Sequence, residues 1–84
     1  MRYYFQTENG QNHPDEEGAE LPSLAAACVE AVRGLGEALK ARPHDFWEND
    51  CIQVHVSDQD RLQLFTLNVS VTLSAAMNGR HPEI

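Results

Sequence analysis

Only one stretch of this chain repeats its apolar residues at helical spacing, and that limits the folds open to it. Apolar or small residues recur at Leu24, Cys28, Ala31, Val32, Leu35 and Leu39, the pattern of one buried helix face. Ser23 is placed to cap the start, because its hydroxyl can accept from an orphan backbone N–H. Pro22 favours an extended approach for Leu21. Glu20 lies near the positive end of the helix dipole, and Lys40 and Arg42 lie near the negative end. Pro43 stops the helix at about Arg42. Gly34 and Gly36 each cost about 1 kcal/mol against alanine in a helix interior. Close approach to a sheet, a frayed last turn or plain tolerance would each account for them.

A lone amphipathic helix must bury its face on strands, and the rest of the chain supplies them. Arg2–Thr7 (RYYFQT) is aromatic and strand-like, with Tyr3 and Phe5 on the inward face. Asn9-Gly10 predicts a type I′ hairpin turn. The return strand over about Gln11–Asp15 is polar and carries Pro14, which confines it to an edge. Gly18 can take a left-handed conformation where the acidic turn Asp15–Gly18 leads towards the helix. Pro43–Asp50 (PHDFWEND) reads as a connector. Cys51–Ser57 alternates, with Ile52, Val54 and Val56 inward. Asp58–Arg61 is a turn. Leu62–Leu73 reads as a strand of 12 residues, with Phe65, Leu67, Val69, Val71 and Leu73 on one face. Leu62 and Leu64 are out of phase with that face, which predicts a bulge near Leu64.

Length and charge exclude several classes. The chain has 84 residues, enough for one domain with one small core. No apolar run approaches the roughly 20 residues of a membrane span, and MRYYFQ has no signal-peptide pattern, so a cytoplasmic protein is expected. Thirteen acidic against six basic side chains give a net charge of −7. That balance repels phosphate backbones and argues against nucleic acid, while it suits solubility or a basic protein partner. Cys28 and Cys51 are too few for a disulfide framework or a four-ligand zinc site. Cys28 is expected as a small buried hydrophobe, and a Cys28–Cys51 bridge is left open.

Arg2–Phe5 (RYYF), the Asn9-Gly10 turn, DEEGAELPSLAAA from Asp15 to Ala27, and VSDQDR before an apolar strand resemble a family of small uncharacterised proteins common in rhizobia and other α-proteobacteria. The likeness runs from about Arg2 to Leu73. The DEEG-x-EL string is its most specific part. In the last turn this sequence departs from the family pattern, with Gln59 and Asp60 present and no glycine. The resemblance implies a domain of unknown function and offers no catalytic residue to carry over. In order of elements alone, the chain is also similar to the N-terminal domain of HicB-type antitoxins, which bears on fold and not on activity.

Few constellations could carry chemistry. His13 with Asp15, Glu16 and Glu17 could present oxygen ligands to calcium or magnesium, although neighbours in one turn rarely converge and a solvated acidic loop is the expected state. Asp58 and Asp60 lack the glycine and distal glutamate of a calcium loop. His44, Asp45 and His81 have no helical metal-pair spacing. His55 falls on the sheet face away from the helix, where a dimer could use it as a pH-sensitive contact. No nucleophile motif, phosphate loop or shielded carboxylate pair is present, so no enzyme and no cofactor is expected. Phe46 and Trp47 invite a binding reading, against which one ring plugging the core is preferred.

The expected fold is α+β, in the order ββαββ. One antiparallel four-stranded sheet carries a single helix on one face, over residues 1–74, with a loose tail at 75–84. The expected strand order is second, first, third, fourth, with the order that exchanges the last two as its rival. The core is expected to hold Tyr3, Phe5, Leu21, Leu24, Cys28, Val32, Leu35, Leu39, Ile52, Val54, Val56, Phe65, Leu67 and Val69. A last strand of about 40 Å would outrun its neighbours, and a second copy would cover it. A homodimeric, non-catalytic protein-interaction module is therefore expected, with Phe46, Trp47, Val71 and Leu73 as contact residues. A small cation or metabolite sensor using Asp15–Glu17 is the alternative.

Overall fold

The computed structural model describes residues 1–77. Strand β1 (Arg2–Glu8) is followed by two short strands, β2 (Asn12–His13) and β3 (Ala19–Glu20). Then come α1 (Leu24–Ala41), α2 (Pro43–Asn49), β4 (Cys51–Ser57) and β5 (Gln63–Ser70). The fold is α+β, with an antiparallel sheet ordered β2-β1-β4-β5 and β3 paired to β1 beyond β2. The main strands therefore lie in the expected order. β3 adds a strand that the sequence does not predict, since two residues carry no periodicity. A short 3₁₀ turn at Ala75–Met77 occupies the start of the expected tail; the rest of that tail, with His81, lies outside the described residues.

The ends of α1 follow local chemistry. The Ser23 hydroxyl accepts from the Ala26 amide at 3.1 Å, the N-cap bond its position predicts. Arg42 closes the other end, and Pro43 opens α2 instead of a loop. Proline costs nothing at a first helical position, where its missing N–H would be unpaired anyway. Asp45 in the first turn adds favourable charge. The expected connector is thus a helix of two turns. It ends on Asp50, which is left-handed at φ 61°.

The face α1 buries differs from expectation. Ala31 and Leu35 pack with Ile52, Val54 and Val56 of β4, and Ala27, one turn before Ala31, is buried as well. Leu24 and Val32 are 50% and 60% exposed, and Cys28 is exposed too. Alanine lets the helix axis approach the sheet closely, so contact with the branched row of β4 takes the smaller side chains and turns the bulkier ones out. Neither Gly34 nor Gly36 has a neighbour within 4 Å of where a Cβ would stand, so close approach does not explain them. Tyr3 is buried as expected. Phe5, Leu39, Phe65, Leu67 and Val69 are half-buried around the core, and Leu21 is half-buried as well.

Three strand details also differ. The β1–β2 loop is Asn9-Gly10-Gln11, between the Glu8–Asn12 and Thr7–His13 pairs; Gly10 alone has positive φ (94°), so it is a three-residue loop and not type I′. β5 stops at Ser70, eight residues long. Its partner β4 begins at Cys51, and one further bond, from the Val71 N–H to the Asp50 carbonyl (3.0 Å), ends the ladder. The alternating pattern through Leu73 has nothing to pair with beyond that point. The bulge does fall where phase predicts, because Val56 faces Phe65 while Ser57 faces Gln63, leaving Leu64 as the extra residue.

Candidate functional site

The acidic turn closes one margin of the sheet. Asp15 Oδ2 accepts from the Phe5 N–H at 3.0 Å, and Oδ1 accepts from Gly18 at 3.0 Å and Glu17 at 3.2 Å. Phe5 sits between the β1 residues that pair with β3 and those that pair with β2, so its amide is the one the short strands leave over. Gly18 takes φ 70°, and a Cβ there would lie 2.7 Å from the Tyr3 carbonyl oxygen. Only glycine allows this approach. Arg2 Nη1 donates to the Glu17 carbonyl at 2.6 Å. Glu20 faces the amino terminus at 2.8 Å and Arg2 at 3.7 Å. The hydrogen bond from the amino-terminal ammonium, helped by its charge and that of Arg2, holds the Glu20 carboxyl below its ordinary range.

Arg61 fastens the same turn from across the sheet. Its guanidinium lies 3.5 Å from the Tyr4 ring centroid and donates to the Asp15 carbonyl at 3.0 Å. No glycine serves the β4–β5 turn, so Arg61 itself takes φ 67°. Asp58 holds the turn by accepting from the amides of Asp60 and Leu62. The left-handed backbone is strained for arginine, and the stacking and the hydrogen bond offset that strain.

The residues expected at a cation site diverge. Asp15 is committed to backbone amides, Glu16 and Glu17 are exposed, and the His13 ring lies 3.2 Å from Asn9 at the hairpin tip. Among the described residues, no three His, Cys, Asp or Glu side chains are grouped to hold a metal ion. The Cys28–Cys51 bridge is not formed; both thiols are free and exposed.

Phe46 packs on the core, and Trp47 meets it edge-on with centroids 6.1 Å apart. Val71 and Leu73 lie beyond the end of β5, half-buried.

On the face away from α1, His55 bridges two strands. Its Nδ1 is 2.9 Å from the Thr66 hydroxyl and its Nε2 is 3.5 Å from Glu8. Gln53 donates to Asn68 at 2.6 Å beside it. This layer satisfies itself across β1, β4 and β5. A polar cavity of about 280 Å³ between the hairpin tip and α2, with His13, Arg42, Asp45 and Glu48 on its walls, was not legible in the sequence, because α2 was not.

The other margin is unlike the first. β5 ends the sheet, and among the described residues no strand pairs with its outer side. From Gln63 to Met77 the chain has no charged residue. A family model for a domain of unknown function, DUF6894, matches residues 2–70. The chain belongs to the DUF6894 family. The match takes in both margins, from the first residue of β1 to the last of β5. No curated protein and no solved structure matches this DUF6894 chain.

Proposed function

We propose that this DUF6894 chain is a non-catalytic protein-interaction module that works as a homodimer in the cytoplasm, joined along β5. The observation that carries the reading is the bare outer side of β5. It offers a row of backbone donors and acceptors with no charge, proline or covering strand among the described residues, and natural sheets hide such edges. Excess strand length plays no part, since β5 and β4 have eight and seven residues. A two-fold pair of β5 strands would leave the polar face around His55 free to meet a further protein. The test is the solution mass of the full chain at micromolar concentration. Twice 9.4 kDa is expected; a single-chain mass at every concentration would remove the reading.

A second reading, a small sensor, draws on the polar cavity beside α2 and not on the engaged carboxylate of Asp15. Melting with millimolar divalent ions or small polar metabolites discriminates, because a ligand selective for the folded state raises the midpoint.

A further inference from the structure

We infer that the second copy lies antiparallel to β5 in register about Leu67, and that it completes an apolar groove each copy leaves unfinished between α1 and β5. This rests on the homodimer reading and gives it a geometry.

The groove follows from where α1 sits. Ala31 and Leu35 of the buried line pack on β4. A crevice on the β1 side is lined by Glu30 and Gly34 together with Phe5, Gly18 and Ala19. At 100° per residue, Cys28 and Val32 fall on the opposite flank of α1, the one above β5. Both are exposed, and Phe65, Leu67 and Val69 beneath them are only half-buried. One helix centred on β4 therefore covers the β5 row from one side alone.

The register follows from hydrogen-bond alternation. The Val71 N–H donates to Asp50, so in an antiparallel ladder Val69, Leu67 and Phe65 also direct their backbone groups towards β4. Thr66, Asn68 and Ser70 then direct theirs outward. The same alternation carried through β4 to β1 points the Phe5 N–H away from the sheet centre, where Asp15 receives it.

A two-fold axis at Leu67 sets Leu67 against its own copy and Phe65 against the partner's Val69, all on the groove side. It sets Thr66 against the partner's Asn68 on the polar side. Aromatic–β-branched pairs are among the favourable cross-strand pairs. Charge selects the occupant: the chain carries −7, yet the seam carries none, so a second copy meets no like charge there and a basic protein finds no acid to grip.

The test uses the full chain with Cys28→Ser and Cys51→Ser. Leu67→Cys places two thiols at a non-hydrogen-bonded pair, about 4.5 Å apart at Cα, within disulfide reach. Mild oxidation should give a covalent dimer that reductant dissolves. Phe65→Cys and Val69→Cys should each stay uncrosslinked alone, their own copies being roughly 13 Å apart, but crosslink when mixed. Asn68→Pro removes an outward amide and no backbone bond to β4, losing only the side-chain bond from Gln53, which Asn68→Ala loses too while keeping the amide. For Asn68→Pro circular dichroism should remain folded while the mass halves to 9.4 kDa, whereas Asn68→Ala should stay dimeric, a readout that still decides if Leu67→Cys fails to fold. A dimer that crosslinks through Asn68→Cys but not Leu67→Cys overturns the register and leaves the homodimer standing. A dimer indifferent to Asn68→Pro places the interface elsewhere and overturns the seam. A monomeric parent protein removes both.

Discussion

Along β1, the outer residues Tyr3, Phe5 and Thr7 face β3, the Asp15 carboxylate and β2 in turn. Along β5, the outer side faces no strand among the described residues. The first margin consumes the chain from Asn9 to Leu21, with its glycines, its carboxylate and the clamp from Arg61. The second has no such apparatus and no charge. Sealing an edge takes sequence, and the DEEG-x-EL string is intelligible as that sequence: Asp15 supplies the acceptor, Gly18 the close approach, and Glu20 the charge that faces the amino terminus.

The contrast breaks most readily at Asp15. Asp15→Ala leaves the half-buried Phe5 amide unmet and should cost about 2–3 kcal/mol, read by urea unfolding; a loss below 0.5 kcal/mol would mean that the carboxylate does not close the edge. Gly18→Ala should cost about 2 kcal/mol, from left-handed strain and the clash with the Tyr3 carbonyl. Glu20 sharpens the contrast through pH. Its carboxyl is held below its unfolded value, so its contribution is complete above the ordinary glutamate range and fades as pH falls through the lowered folded value. The midpoint of the parent protein should therefore fall towards that of Glu20→Gln on acidification, and equal midpoints at neutral pH would contradict the pairing. The smallest effect belongs to the bare margin. Ser70→Ala should change stability by less than about 0.5 kcal/mol, since nothing on that side depends on it within one copy.

What the sequence revealed divides along the same physical line. Local chemistry was legible. Ser23 caps α1, Gly18 is left-handed, the phase change at Leu64 is a bulge, and β4 buries its expected row. Choices made by tertiary packing were not. The bulky stripe Leu24–Cys28–Val32 has the stronger apolar pattern, yet the alanine line meets the sheet, because small side chains permit the closer contact. The apolar alternation from Val69 to Leu73 says strand, yet a strand needs a partner and β4 has already begun. At the acidic turn the residues were recognised but their task was not. Three acids together suggest an ion, whereas a single Asp three positions before a left-handed glycine is also the pattern of a side chain that binds its own backbone. The signal for α2 is Pro43 followed by Asp45, the chemistry of a helix start, but seven residues are too few to show a helical period.

On the proposed pairing through β5, the clamp on β1 limits how many molecules can line up. A ribbon with two unfinished sides could add copies at either one without end. With one side already hemmed by its own chain, any growth through β5 uses up both free borders in a single step, and the count stops at two.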